Sequence, residues 1–261
     1  MKNKKSLGQN WLKDRAILEQ IADISADLPE DFLDKNLVCL EIGPGLGTLT
    51  SSLLKHFDKV IAVEFDESLA KNLPNSFPGK NLEVVNSDIL EFDLAKLPSP
   101  YVVAGNIPYY ITTPILKKLL TPLNKPEKIT LLVQKEVAEK IGNPKESSSL
   151  SLFVENLAEI SLGPVVKREL FTPAPKVDSQ VLVLTPRPQK KYDKSTEVID
   201  LIVKAFKNPR KKLATNLSGY NNYSKQEIET ILSSLKINKN ARPSDLNLDN
   251  YATLAKSLKK R

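Results

Sequence analysis

The segment 105–109, Gly-Asn-Ile-Pro-Tyr, follows the apolar run 101–104 and combines residue types that can hold a planar amine. The side-chain oxygen of Asn106 and a backbone carbonyl held by Pro108 can accept both protons of an exocyclic NH₂, and the Tyr109 ring can stack on the heterocycle. Two acceptors outside the ring plane favour a pyramidal nitrogen with a localised lone pair, which stabilises the transition state of attack by that nitrogen. The segment predicts methyl transfer to a nucleobase amine, although the pattern alone also fits a turn over a packed aromatic ring.

A glycine-rich turn, residues 41–48, is expected where the first buried strand gives way to a helix. Its glycines allow a tight backbone turn and a close approach of a ligand. Glu64 ends the second predicted strand, at a place where an acid reaches ribose hydroxyls in open α/β sheets. Asp88 follows the third strand and Asn106 the fourth. Because ligands of such sheets bind outside the carboxyl ends of the strands, these residues predict one cofactor crevice.

The acidic character of this crevice distinguishes between two cofactors. NAD also uses a glycine turn and a ribose-binding acid, but Thr48 and Leu49 lie near the place of the last glycine of its fingerprint. Glu41 and Asp88 flank the site where NAD would place its anionic pyrophosphate. S-adenosylmethionine has no phosphates and carries a sulfonium cation, so the sequence predicts S-adenosylmethionine.

The elements that must position these residues alternate along the first half of the chain. Short apolar runs predict strands at 37–42, 60–64, 82–86, 101–105 and 129–134. Helical spacing predicts helices at 16–26, 48–56, 67–73, 113–120 and 136–141. This alternation is typical of βα units with right-handed crossovers and a parallel sheet, and it predicts a Rossmann-like α/β fold.

The second half of the chain changes in character. Strands predicted at 163–169 and 179–185 flank a proline-rich loop and would extend the sheet, one of them antiparallel. After the linker 185–191, helical spacing recurs at 197–206, 211–217, 225–235 and 249–258. We therefore predict a domain at 1–188 and a small all-α domain at 189–261.

The net charge of +7 is concentrated in this C-terminal region. The region 190–261 contains sixteen Lys and Arg residues and seven Asp and Glu residues. This excess suggests a polyanion-binding end, although a solvated lysine-rich surface fits the charge almost as well. The basic run 207–212, with Lys207, Arg210, Lys211 and Lys212, is the predicted RNA-binding segment.

Composition excludes several other classes of function. The single cysteine, Cys39, lies in an apolar run, and the single histidine is His56, so neither a disulfide nor a Cys- or His-based metal site is expected. The sequence contains no long apolar run, and its first five residues are not followed by a signal-peptide core. We expect a soluble cytoplasmic protein, acting as a monomer, with no metal and no membrane partner.

Segments in a fixed order along the chain carry a family resemblance. They are 5–12 (with Trp11 where the family has Phe), 41–47, Glu64, Asp88, 105–109, 134–138, 171–179, 241–243 and 251–255. In this order and spacing they resemble the small-subunit ribosomal RNA adenine N6,N6-dimethyltransferases, the KsgA/RsmA type. The resemblance implies a class I methyltransferase fold and dimethylation of two adjacent adenines in the 3′-terminal hairpin of 16S rRNA. The partner is either the free small-subunit rRNA or an immature 30S particle.

The resemblance also implies roles for individual residues. The implied cofactor-binding residues are Asn10, Leu12, Gly43, Gly45, Glu64, Asp88, Ile89 and Asn106. Among them, Asn10 and Leu12 would cover the methionine side, Glu64 the ribose hydroxyls and Asp88 the adenine amine. The implied catalytic residues are Asn106, Pro108, Tyr109 and Phe171. Of these, Tyr109 and Phe171 would sandwich a flipped-out adenine.

Departures from the family pattern leave alternatives open. Tyr110 stands where relatives usually have Asn, and the serine run 147–149 replaces a Tyr-Gly-containing stretch. The macrolide-resistance methyltransferases of large-subunit rRNA share residues 106–109, but the segments 7–9, 241–243 and 251–255 favour the small-subunit family. A non-catalytic ribosome-assembly factor on the same fold is a second alternative. An NAD-dependent dehydrogenase is a third, and it lacks a credible hydride-handling residue.

Overall fold

The computed structural model describes residues 9–32, 36–142, 147–192 and 195–259. Residues 5–8 of the N-terminal motif therefore lie outside the described residues. Contacts divide the chain into two compact units. The first comprises Met1–Ala138 and Glu159–Pro186, and the second Glu139–Ala158 and Arg187–Arg261. The sequence contains no signal for the separate grouping of Glu139–Ala158.

The strands and helices of the described residues follow in chain order. The strands are β1 (Trp11–Leu12), β2 (Val38–Ile42), β3 (Lys59–Glu64), β4 (Leu82–Asn86), β5 (Tyr101–Asn106), β6 (Ile129–Gln134), β7 (Ala158–Val166), β8 (Phe171–Thr172) and β9 (Ser179–Pro186). The α-helices are α1 (Arg15–Ala26), α2 (Thr48–His56), α3 (Glu67–Asn72), α4 (Thr112–Leu120), α5 (Lys135–Gly142), α6 (Ser149–Leu157), α7 (Ser195–Ala205), α8 (Leu213–Leu217), α9 (Lys225–Ser234) and α10 (Leu248–Ser257).

The first unit is built on a seven-stranded sheet of order β4-β3-β2-β5-β6-β9-β7. The pairs from β4 to β6 are parallel, and β9 runs antiparallel to β6. Every residue of β2 is buried, and so are the first five residues of β5 and of β6, as expected for parallel strands covered on both faces. The predicted Rossmann-like fold and the antiparallel addition are confirmed.

Strand β2 marks the point where the strand order reverses. The chain runs outward from β2 through β3 to β4 and then returns to β5, on the other side of β2. The register pairs Ile42 with Val63 on one side and with Gly105 on the other, so the three strands end at the same level. This is the place where an open α/β sheet binds its ligand.

The close packing of the end of β5 against the end of β2 requires a glycine at position 105. A Cβ at that position would lie 2.8 Å from the carbonyl oxygen of Ile42, which no side chain can occupy without moving the strand. The glycine before Asn106 therefore lets β5 end against β2.

A short antiparallel pair, β1 with β8, ties the N-terminal segment to the loop before β9. Trp11 pairs with Thr172 and Leu12 with Phe171, and the amide of Lys13 donates to the carbonyl of Leu170 at 3.1 Å. The Leu12 and Phe171 side chains are both buried in the core on one face of the sheet. Neither strand was predicted, because two residues are too few to show an alternating pattern.

The second unit has a core of its own. It is formed by apolar side chains of α6, α7, α8, α9 and α10 and their connections. The Tyr251 ring is fully buried, and its hydroxyl donates to the carbonyl of Pro243 at 2.9 Å. The amide of Leu213 donates to the carbonyl of Ala241 at 2.8 Å. The C-terminal family motifs therefore act in this unit as packing and turn residues.

Two elements of the structure differ from the prediction. The strand predicted at 163–169 is Ala158–Val166, and Arg168–Leu170 forms a 3-10 turn instead. Helix α6 was not predicted, because its start lies in the serine run. Ser148 is the N-cap of this helix, and its hydroxyl accepts from the amide of Ser151 at 3.0 Å, so the serines form a capping box.

Candidate active site

A crevice opens at the carboxyl ends of β2, β3, β4 and β5 in the first unit. The predicted residues that line it are Asn10, Gly43, Gly45, Glu64, Asp88, Ile89, Asn106, Pro108 and Tyr109. The predicted residues that do not line it are Leu12 and Phe171, whose side chains lie in the core. Most of the predicted cofactor and target residues therefore meet in one place.

The glycine turn after β2 forms the floor of this crevice. Gly43 and Gly45 have φ angles of +66° and +57°, in the left-handed region that favours glycine. The amide of Gly43 donates to the carbonyl of Val63 at 3.0 Å, which fixes the turn to β3. The carbonyl of Asn106 lies 3.9 Å from the position of a Cβ on Gly43. The turn and the end of β5 are thus close neighbours.

Glu64, the last residue of β3, holds the turn from the other side. Its Oε2 accepts from the amide of Gly45 at 3.0 Å, and its Oε1 accepts from the amide of Asp66 at 2.8 Å. Burial raises the pKa of Glu64, although these backbone amides oppose the shift. Each oxygen keeps a further lone pair, so the carboxylate can still accept from two ribose hydroxyls.

Glu41, near the end of β2, is a second buried acid of the crevice. Its side chain is 1% exposed, and burial raises its pKa to about 8, with a contribution from the negative charge of Glu64. A bound cation would lower this pKa again, because it favours the ionised form.

Asp88 follows β4 at the far end of the crevice. Its Oδ1 accepts from the amide of Leu90 at 2.8 Å, which fixes the side chain and leaves Oδ2 for a ligand. Ile89 and Phe65 line the same end, and the Phe65 ring is 62% exposed. An acid between two apolar walls suits an adenine ring and its amine.

The side-chain amide of Asn106 is oriented by a hydrogen bond across the crevice. Its Nδ2 donates to the backbone carbonyl of Asn10 at 2.9 Å. This bond assigns the two ends of the amide, since only the nitrogen can donate. The oxygen Oδ1 is therefore the atom available to accept from a target amine.

Tyr109 is held by a bond to the strand that extends the sheet. Its hydroxyl and the Oγ of Ser179 are 2.7 Å apart, and burial raises the pKa of Tyr109, so the phenol stays protonated. The carbonyl of Pro108 accepts from the amide of Ile111 at 3.2 Å, which closes the turn that carries the ring. The Ile107 carbonyl belongs to the peptide bond that precedes Pro108. Because the proline ring locks the φ angle of Pro108, it fixes the direction of this carbonyl relative to the turn.

Phe171 is placed differently from its predicted partner ring. It is 3% exposed and packs in the core, whereas Tyr109 lines the crevice. Its role as the second stacking residue stays a prediction, and it requires the ring to move when an adenine enters.

The polar groups of the crevice decide which cofactor fits. Among the described residues that line it, none is Lys, Arg or His, while Glu41, Glu64 and Asp88 are acids. Such a lining suits a sulfonium cation and disfavours the two phosphates of a dinucleotide. No group of three His, Cys, Asp or Glu residues that could hold a metal ion occurs in the described ranges.

Comparison with known proteins is consistent with this geometry. A family model described as ribosomal RNA adenine dimethylase matches residues 1–260. The chain belongs to this family.

Relatives of this dimethylase align over nearly their whole length. Ribosomal RNA small subunit methyltransferase A of Mycoplasma mycoides subsp. mycoides is 34% identical, with 97% of each chain covered. The protein of the same name from Streptococcus gordonii is 37% identical, with 98% of this chain and 92% of the relative covered. The predicted family is therefore confirmed, and the cofactor of this dimethylase is S-adenosylmethionine.

Two solved structures share the fold of the dimethylase. The 23S rRNA methyltransferase ErmE superposes with a TM-score of 0.76 at 29% identity, over 95% of this chain and 99% of the other. A dimethyladenosine transferase from Plasmodium falciparum gives 0.75 at 26% identity, over 93% and 95%. The dimethylase thus shares its fold with a 23S rRNA methyltransferase and with a dimethyladenosine transferase.

The predicted RNA-binding residues of the dimethylase lie in its second unit, between α7 and α8. Their side chains, Lys207, Arg210, Lys211 and Lys212, are all exposed. Asn208 supports the loop, because its carbonyl accepts from the amide of Lys211 and from Nδ2 of Asn216, both at 2.9 Å. RNA binding by these residues stays a prediction.

No helix of the described residues is long and apolar enough to span a membrane.

Several lining residues of the dimethylase were not predicted as site residues. Phe65 and Ser87 were not considered, whereas Gln9, Trp11, Thr48 and Tyr110 were considered only as members of motifs or as departures from the family pattern. Phe65 and Tyr110 directly follow the predicted residues Glu64 and Tyr109, so position next to a strand end was the available signal. Ser179 was predicted only as the last residue of a family motif, and its contact with Tyr109 had no local signal.

Proposed function

We propose that this protein transfers methyl groups from S-adenosylmethionine to the N6 amines of two adjacent adenosines in the 3′-terminal hairpin loop of 16S rRNA. Each adenosine would receive two methyl groups and become N6,N6-dimethyladenosine. The single observation that carries the proposal is the orientation of Asn106, whose Nδ2 is held by the Asn10 carbonyl at 2.9 Å. Its Oδ1 is left to meet an amine beside the cofactor crevice.

Asn106 and the Ile107 carbonyl would act on the target amine. When bound, S-adenosylmethionine supplies an electrophilic methyl group next to Asn106. Acceptance of both N–H protons by these two oxygens localises the nitrogen lone pair for attack. The methylated amine is acidic while it is cationic, so its proton passes to water without a side-chain base.

Tyr109 would present the adenine to these acceptors. Its ring borders the crevice, and the bond between its hydroxyl and Ser179 fixes the position of the outer end of the ring. A flipped adenine gains roughly 1–3 kcal/mol from stacking on such a ring, which offsets the cost of unstacking it in the hairpin. Phe171 would close on the opposite face.

The second unit would bind the RNA backbone through Lys207, Arg210, Lys211 and Lys212. Four exposed cations on one loop suit phosphates, which position the RNA without reading its sequence. The substrate would be the immature 30S particle, and the protein would act there as a monomer in the cytoplasm.

One experiment separates this proposal from its alternatives. The purified protein is incubated with methyl-labelled S-adenosylmethionine and immature small subunits, large subunits or free rRNA, and the modified adenosines are mapped. We expect label on two adjacent adenosines of the small-subunit RNA, recovered as N6,N6-dimethyladenosine. Label only on large-subunit RNA would support the alternative that the ErmE fold also permits. RNA binding without label would support an assembly factor.

A further inference from the structure

The methionine end of the cofactor has the least obvious partners in the crevice. Glu64 serves the ribose, Asp88 the adenine, and Asn106 marks the position of the transferred methyl group. The remaining end is bordered by Asn10, Trp11 and the glycine turn. The cofactor places an ammonium and a carboxylate there.

The carboxylate of the cofactor finds no cation in this crevice. None of the described lining residues is Lys, Arg or His. A buried carboxylate without a donor is costly, so it needs hydrogen bonds from neutral N–H or O–H groups.

The indole nitrogen of Trp11 lies at this place. A Cβ on Gly45 would be only 3.0 Å from Nε1 and 3.1 Å from Cδ1 of Trp11, so the absence of a side chain at Gly45 makes room for the ring edge. No acceptor among the described residues takes the indole N–H. The N–H is a donor without a partner at the cofactor's methionine end.

The backbone holds Trp11 on both sides. Before it, the Asn10 carbonyl accepts from Asn106; after it, the Lys13 amide donates to Leu170; and β1 pairs with β8. Since Leu12 points into the core, the alternation of a strand directs Trp11 to the opposite side, where it lines the crevice. The ring is therefore positioned before the cofactor arrives.

We propose that the indole N–H of Trp11 donates to the carboxylate of S-adenosylmethionine. The phenylalanine of the family pattern has no such donor, so this contact is a property of this chain. The inference rests on the proposed function only through the identity of the cofactor. Its test therefore measures binding rather than transfer.

The test is a cycle of two proteins and two ligands, measured by isothermal titration calorimetry. Wild type and Trp11→Phe are titrated with S-adenosylmethionine and with decarboxylated S-adenosylmethionine, which lacks only the carboxylate. We expect Trp11→Phe to bind S-adenosylmethionine roughly 10- to 50-fold more weakly, because a charge-assisted hydrogen bond is lost. The decarboxylated ligand should bind both proteins equally within about 2-fold, since the ring is retained.

Controls separate the N–H from the shape of the ring. Tyr220→Phe removes a polar hydrogen in the second unit, at a residue that does not line the crevice, and should leave both affinities unchanged. Replacement of Trp11 by benzothienylalanine, which keeps the bicyclic shape and removes only the N–H, should reproduce the effect of Trp11→Phe. Because Trp11 is the only tryptophan of the chain, its fluorescence in the wild type also reports filling of the crevice.

The possible outcomes distinguish this inference from the proposed function. Equal loss of affinity for both ligands would mean that Trp11 contributes packing only, and no loss for either would mean that backbone amides bind the carboxylate. Both results overturn the inference while leaving the cofactor in place. If wild type binds neither ligand, the proposed function itself fails.

Discussion

The crevice of the first unit and the basic loop of the second unit differ in the physical means by which they would bind their ligands. In the crevice, Glu64, Asp88 and Asn106 are each fixed by a hydrogen bond to the backbone. In the basic loop at 207–212, four cations are exposed, and of these Lys212 also donates to Oδ1 of Asn240 at 2.8 Å. Among the described residues, the crevice lining contains acids and no cationic side chain. The loop contains four cationic side chains and no acid.

This contrast matches the division of tasks that we propose for the two units. A methyl transfer depends on the placement of single atoms, so it needs side chains held by short bonds in a dry site. Attraction of an RNA backbone depends on charge and tolerates mobile side chains. Changes in the crevice should therefore alter rates and ligand affinity, and changes in the loop should alter RNA affinity and its salt dependence.

The largest effect is expected at Asn106. Asn106→Ala removes one amine acceptor and the bond to Asn10, so single-turnover methyl transfer should fall roughly 10³-fold while RNA affinity stays unchanged. Asn72→Ala is a matched control, because Asn72 also donates to a backbone carbonyl, that of Ser68 at 2.7 Å, and is exposed. Transfer by Asn106→Ala at the wild-type rate would contradict the assigned role.

Substitutions in the basic loop should weaken RNA binding and leave the crevice unaffected, which is the opposite of the result expected for Asn106→Ala. Its four cations are changed together to Gln, at Lys207, Arg210, Lys211 and Lys212. We expect roughly 100-fold weaker RNA binding at ~0.1 M salt, a salt slope reduced by about 3, and unchanged affinity for S-adenosylmethionine. Fluorescence anisotropy with labelled hairpin RNA measures both quantities.

The matched control removes the same charge from exposed lysines of the first unit. It carries Gln at Lys71, Lys80, Lys96 and Lys117. If this control weakens RNA binding as much as the loop variant does, net charge rather than the loop is responsible.

A substitution at Glu64 tests whether cofactor binding in the crevice depends on a carboxylate at this position. Glu64→Gln places an NH₂ group opposite the amide of Gly45 or Asp66, since both oxygens accept from backbone amides. We expect roughly 10- to 50-fold weaker binding of S-adenosylmethionine by calorimetry. Glu83→Gln, an exposed acid of β4 that pairs with Lys59 at 2.6 Å, should bind as wild type does.

These residues could be predicted from the sequence because most of them lie at, or just after, the end of a predicted strand. Gly43, Glu64, Asp88 and Asn106 each terminate or follow a predicted strand, and parallel strands bring their carboxyl ends to one edge of a sheet. The basic loop was visible as a charge run. These features depend on local order in the chain.

The remaining parts of the site depend on contacts between distant segments. The β1–β8 pair joins residues that are some 160 positions apart in the chain, and no local periodicity predicts it. The burial of Phe171 and the contact of Trp11 with Gly45 follow from that pair. Helix α6 was missed for a local reason, since its capping serines resemble a loop.

The smallest expected effect concerns the buried acid Glu41 and the pH dependence of stability. Its pKa is about 8 in the folded protein and near 4.5 when unfolded, so the folded state holds the extra proton between these values. Stability should therefore fall as pH rises from 5 to 8. Glu41→Gln lacks this proton and should lose less stability over the same range, by roughly 1–2 kcal/mol in thermal or urea unfolding. Parallel stability curves for the two proteins would show that burial does not shift this group.

The most direct test of the central claim is a crystal structure with S-adenosylhomocysteine and an adenosine, or a bisubstrate analogue that joins them. We expect Oδ1 of Asn106 within hydrogen-bonding distance of the adenosine N6, with Nδ2 still bonded to the Asn10 carbonyl. We also expect the ribose hydroxyls of the cofactor to donate to Glu64. A complex in which the Asn106 amide faces away from N6, or in which the adenosine lies outside the Tyr109 end of the crevice, would contradict it.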